Sequence, residues 1–101
     1  MLAIKATIPI DPDERERAIE LISEMGEKTR AEDGVIDYRV AIDIDDPNLF
    51  RALEQYEDEE ALNRHLQADH TQNAMEELPE FLGGELEMRR LDVDSVSDFE
   101  F

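Results

Sequence analysis

The only two imidazoles of this 101-residue chain, His65 and His70, stand five residues apart at the end of the stretch DDPNLFRALEQYEDEEALNRHLQADH. Histidine is the side chain whose ordinary titration lies near neutral pH, so proton transfer is the chemistry to expect of it. Glu54 belongs to the same stretch and interrupts an otherwise apolar strand face made by Phe50, Ala52 and Tyr56. A carboxylate placed there must be paired or protonated, and either state suits catalysis. Tyr56 and Tyr38 offer hydroxyls to a polar aromatic ligand, and Asn48 follows Pro47 in a turn. His65, His70 and Glu54 are therefore the candidate catalytic residues. Tyr56, Tyr38 and Asn48 are the candidate substrate contacts.

Each has a plainer reading. His65 shares a helix stripe with Leu62 and Leu66, where it can face a cavity or be held by Asp69 one turn on. His70, at a helix junction, can simply satisfy backbone groups. Glu54 can pair with Arg39 or Arg90 across the sheet, and both tyrosines can be amphipathic core residues. The histidine spacing does not match a helical two-histidine zinc motif, and no carboxylate completes a triad by spacing. The chain has no cysteine. No metal site is expected, and no Ser-His-Asp arrangement, phosphate loop or dinucleotide fingerprint is present.

The elements that must position these residues alternate clearly. Leu2, Ile4, Ala6, Ile8 and Ile10 share one face of a first strand. Asp11-Pro12-Asp13-Glu14 starts a helix that ends near Arg30, with Ala18, Ile19, Ile22, Met25 and Gly26 as its apolar stripe. After a Glu32-Asp33-Gly34 turn, Ile36, Tyr38, Val40, Ile42 and Ile44 share a second strand face. A third strand spans about 49–57. Asp58 caps the next helix, and His70-Thr71 bends the chain into a short third one, ended or kinked by Pro79. A last strand over about 85–93 follows Gly83-Gly84. The order β-α-β-β-α-α-β predicts an α+β, ferredoxin-like subunit, an antiparallel sheet with its helices on one face. The outer sheet face also carries apolar residues, which predicts a homodimer with sheets packed face to face. Residues 1–93 form the domain; 94–101 are an acidic tail whose Val96, Phe99 and Phe101 predict docking, as on a second subunit.

Charge is the other strong signal. Against 28 acidic residues stand 10 basic ones, a net charge of −18. Such a chain repels nucleic acid and anionic membranes, so neither is an expected partner. The acids are spread along a strongly patterned chain, unlike a disordered tail. A folded protein with this self-repulsion needs screening, and molar salt shortens the Debye length to about 3 Å. The prediction is a halophilic protein of a salt-rich cytoplasm. The start MLAIKATIPI has no signal-peptide pattern, and no run of 18 apolar residues exists.

Glu32-x-Gly34-x-x-x-Tyr38, then Asp46-Pro47-Asn48-x-Phe50, then Glu54-x-Tyr56-x-Asp58-x-x-Ala61-Leu62-x-x-His65 with His70 resemble the antibiotic biosynthesis monooxygenase (ABM) domain. The likeness covers about residues 2–93 in the same element order. It implies a dimeric α+β barrel with an apolar cavity between the sheet and helices of each subunit. It also implies a monooxygenase acting on a quinol-like or phenolic aromatic with molecular oxygen, without metal, flavin or other cofactor. In that chemistry the protein removes a phenolic proton and the electron-rich anion reacts with oxygen. His65 would be the base, with His70 and Glu54 positioning it and Tyr56 and Tyr38 lining the pocket. Tyr56 stands where many relatives carry tryptophan. The places of the haem-degrading branch's Asn–Trp–His set hold Thr7, His65 and Met75, which does not imply haem degradation. A non-oxidative isomerase and a small-molecule-binding module are the alternatives on the same scaffold.

Overall fold

A computed structural model describes residues 1–101. Strands β1 (Leu2–Pro9), β2 (Val35–Ile42), β3 (Leu49–Tyr56) and β4 (Glu87–Asp92) form one antiparallel sheet in the order β2-β3-β1-β4. Helices α1 (Arg15–Arg30), α2 (Glu59–Gln67) and α3 (Asp69–Glu77) complete the α+β, ferredoxin-like subunit. No helix is long and apolar enough to cross a membrane.

Period-two alternation decides the sheet's inner face. Phe50, Ala52, Glu54 and Tyr56 of β3 are all buried, opposite Ile8, Ala6, Ile4 and Leu2 of β1. Against them pack Ala18, Ile19 and Ile22 of α1 and Phe81 of the 3-10 turn that follows α3. A second cluster gathers Leu2 and Tyr56 with Ala61 and Leu62 of α2. The α1 start differs in detail from expectation. Asp11 does cap, accepting from the Asp13 N–H at 2.9 Å, but Pro12–Glu14 form a 3-10 turn before the α-helix begins.

Strand β2 departs from strict alternation. Val35 lies opposite Tyr56 and Asp37 opposite Gln55, so Ile36 is the extra residue of a bulge. Val35 packs into the core cluster instead, and Ile36 is half exposed. Tyr38 and Val40 stay inward as expected, whereas Ile44 lies beyond the strand in solvent.

The outer face mixes basic and apolar side chains. One row across it reads Arg39, Leu53, Lys5, Arg89, and the next carries Gln55, Ala3 and Leu91. The C-terminal residues 94–101 have no regular secondary structure and are exposed, Phe99 and Phe101 among them.

Candidate active site

Three elements bring the chemistry together. Asp58 caps α2 by accepting from the Ala61 N–H at 2.9 Å. Arg90 of β4 fixes the same helix end through a two-pronged ion pair with Glu59, at 2.9 and 3.0 Å. His65, on the buried stripe of α2, is then aimed at the sheet. Its ring lies 5.4 Å from that of Tyr56 and 5.9 Å from that of Tyr38.

Behind the ring sits Glu32, from the Glu32-Asp33-Gly34 turn. A Glu32 oxygen lies 3.0 Å from His65 Nδ1 and 2.7 Å from His70 Nε2. This replaces Asp69 as the holder of His65. The turn is fixed from both sides: Arg64 of α2 donates to the Asp33 carbonyl at 3.2 Å, and the Glu57 N–H to the Gly34 carbonyl at 2.8 Å. Gly34 sits at φ +84°, and a Cβ there would lie 2.6 Å from that of Ala61. The turn is therefore packed on α2. Glu32 is a carboxylate in an acidic chain, and the one signal that could have singled it out was its place at the head of the family-like succession Glu32-x-Gly34-x-x-x-Tyr38.

With Glu32 ionised, the hydrogen bond assigns the His65 proton to Nδ1. Nε2 has no hydrogen-bond partner in the protein and is not a fully buried orphan. It is the nitrogen left for the cavity that His65 lines. The Thr71 hydroxyl, 3.3 Å from Nδ1, steadies the ring and was not foreseen.

The cavity lies between the sheet and the three helices, with a volume of about 320 Å³. Its wall is mostly apolar, from Ile4, Ile22, Leu62 and Leu78 to Met75 and Met88. Tyr38, Glu54, His65 and Thr71 supply its polar groups. This is the composition of a small-molecule site, an apolar body with few convergent polar groups.

Glu54 is 6% exposed and accepts a 2.5 Å hydrogen bond from the Tyr56 hydroxyl. Burial pushes its carboxyl above the usual range, while the Tyr56 bond and the neighbouring His65 pull the other way. It does not pair with the arginines considered for it. Arg39 belongs to the outer face and pairs with Asp37, and Arg90 lies beyond Ile4, held by Glu59 and Asp92. Burial, then the Glu54 charge, raises the Tyr38 and Tyr56 hydroxyls far above the ordinary phenol value, so both stay protonated donors.

The candidates thus divide. His65, Glu54 and Tyr38 share the cavity wall. Tyr56 is fully buried beneath it and acts on Glu54. His70 is not a cavity residue; it lies in a surface cleft beside Glu24, Lys28, Asn73 and Glu77 that shares Leu21, Met25 and Ala74 with the cavity wall, its ring 6.3 Å from that of His65 and joined to it through Glu32. Asn48 is not among the cavity residues. Its N–H donates to Asp46 and its carbonyl accepts from Ile10, which makes it a turn residue. Spacing along the chain offered no carboxylate to complete a triad with the two histidines. In space Glu32 completes one, with one donor atom from each residue, all within 4.8 Å.

Comparison with known proteins agrees with this architecture. A family model described as "Antibiotic biosynthesis monooxygenase" matches residues 1–77. "Putative monooxygenase YcnE" of Bacillus subtilis (strain 168) is 27% identical over 93 residues, covering 92% of this chain and 98% of that protein. A crystal structure titled as an antibiotic biosynthesis monooxygenase superposes with a TM-score of 0.87 at 25% identity, covering 94% of this chain and 100% of the other. Rv0793 from Mycobacterium tuberculosis gives 0.87 at 28% identity, over 95% and 98% of the two chains.

Proposed function

This chain belongs to the antibiotic biosynthesis monooxygenase family, and from that premise we propose that it is a cofactor-independent monooxygenase oxidising a quinol-like or phenolic compound with molecular oxygen. The observation that carries the reading is the Glu32–His65 pair at the wall of an apolar cavity. Glu32 holds the Nδ1 proton and His65 Nε2 accepts the phenolic proton of the substrate. That is the division of labour between a positioning carboxylate and a general base. The apolar wall favours a flat aromatic ring, and a volume of about 320 Å³ suits a compound of one or two rings. Tyr38, protonated, donates to a second substrate oxygen. Glu54, held by Tyr56, lies beside His65 and favours the imidazolium that forms. The phenolate then supplies the electrons. A ring carbon exchanges its C–H bond for a bond to one oxygen atom, and the substrate leaves oxidised as a quinone. The second oxygen atom leaves as water with the ring hydrogen and the phenolic proton.

The working unit in this reading is a homodimer joined through the outer sheet face. Half-exposed Leu53 and Leu91 favour contact there. Lys5 and Arg89 stand in the same region without an acidic partner, and the exposed tail carries Asp94, Asp98 and Glu100 beside its phenylalanines. A salt-rich cytoplasm completes the proposal, on the net charge of −18.

Oxygen uptake with substituted hydroquinones and naphthohydroquinones in molar KCl tests the reaction. We expect turnover by the native chain and a fall in kcat of about 10²–10⁴-fold in His65→Gln, with KM little changed. Equal turnover by both proteins removes His65 as the base. Turnover of a hydroxy-carbonyl compound without oxygen would make the protein an isomerase. A ligand recovered unchanged after incubation in air would make it a binding module.

A further inference from the structure

The geometry points to a divalent transition-metal site formed by Glu32 Oε2, His65 Nδ1 and His70 Nε2, behind the His65 ring and outside the substrate cavity. Two imidazoles and a carboxylate are a donor set for first-row metals such as zinc or cobalt. They come from three elements: the turn after α1, the buried face of α2 and the first turn of α3. Donor atoms bound to one zinc at about 2.1 Å lie about 3.0–3.4 Å apart, depending on coordination geometry. The Glu32 oxygen is 3.0 and 2.7 Å from the two nitrogens and all three donor atoms lie within 4.8 Å of one another, so holding one ion takes a swing of the partly exposed His70 ring toward His65 by about an ångström as well as a small shift of the Glu32 carboxylate.

The surroundings suit a cation. His70 borders the surface cleft that also holds Glu24, Asn73 and Glu77, through which an ion and its remaining water ligands enter. Lys28 also borders the cleft, its ammonium 3.5 Å from the Glu24 carboxylate. The acidic chain raises the cation concentration at its surface.

The site has a consequence for the cavity. A metal on Nδ1 forces the neutral ring's single proton from Nδ1 to Nε2, so the ring presents a donor where a base is needed. Metal binding should therefore switch the His65 base off. This consequence rests on the assignment of His65 as base; the site itself does not.

Titration of the metal-stripped chain in molar KCl with Zn2+ by calorimetry, and with Co2+ by its visible absorption, tests the proposal without substrate. We expect one ion per chain. Binding should weaken at least tenfold in Glu32→Gln and in His70→Gln, and should not change in the remote control Glu16→Gln. Circular dichroism establishes that each variant is folded, and His70→Gln alters only a partly exposed side chain. Binding equal in His70→Gln and the native chain, or no saturable binding, overturns the site. If hydroquinone oxidation is present, Zn2+ should suppress it in the native chain and not in His70→Gln. Stimulation by Zn2+ would overturn the placement of the ion behind the base.

Discussion

Glu54 and Glu32 are two carboxylates in one small region, and burial gives them different work. Glu54 stood out in the sequence because it breaks an apolar strand face, and that position does bury it against the cavity. Its partner, Tyr56, was two residues away on the same face, a hydrogen bond that strand geometry brings within reach. The folded chain holds the Glu54 proton more tightly than an unfolded chain does. Its contribution to stability is therefore full below the ordinary carboxylate value and is lost as pH rises through that value toward the raised one. Glu54→Gln keeps an acceptor for the Tyr56 hydroxyl and removes the titration. We expect the variant to melt higher than the native chain at pH 7, with the gain vanishing below about pH 4. Thermal unfolding across that range measures it, and a gain independent of pH would contradict the burial argument.

At the scale of elements, the site depends on a tight turn and two short helices. Gly34 has the positive φ that other residues avoid, and its bare Cα lets the turn that carries Glu32 touch Ala61 of α2. We expect Gly34→Ala to cost at least about 1–3 kcal/mol through strain and contact, lowering the melting temperature by several degrees. It should also loosen Glu32 from His65, so that activity falls with stability. Ala68 makes the other turn that matters. Its extended backbone, φ −64° and ψ 143°, separates α2 from α3 and lets His70 point back at the oxygen that holds His65. An uninterrupted helix would place residues five apart about 140° around its axis. The sequence shows that the second helix breaks, but the expected place, His70-Thr71, is wrong by two residues: the break is at Ala68, and His70 and Thr71 lie inside α3. The result of that break was not legible, because the direction of α3 is set by packing against α1 and the sheet.

The whole molecule carries its charge unevenly. Acids cover the helices and loops, while Lys5, Arg39, Arg51 and Arg89 gather on the outer sheet face. If that face pairs two copies in a salt-rich setting, the melting temperature should rise from low to molar KCl as repulsion is screened. The native chain should sediment as a dimer in molar KCl, and Leu53→Asp, a substitution away from the core, as a monomer. A melting temperature indifferent to KCl would remove the halophilic reading; a native monomer would remove the dimer. Periodicity in the sequence determined the order of the elements, the inner faces of β1 and β3, and the burial of Glu54 and His65. Those follow from local geometry and from the apolar pattern alone. Only the tertiary structure decided that Glu32, 33 residues before His65, is its partner, that Val35 displaces Ile36 at the bulge, and that His70 faces a cleft outside the cavity. A hydrogen bond between distant residues leaves no periodic trace, because it is created when separate elements pack and not by the path of the chain between them.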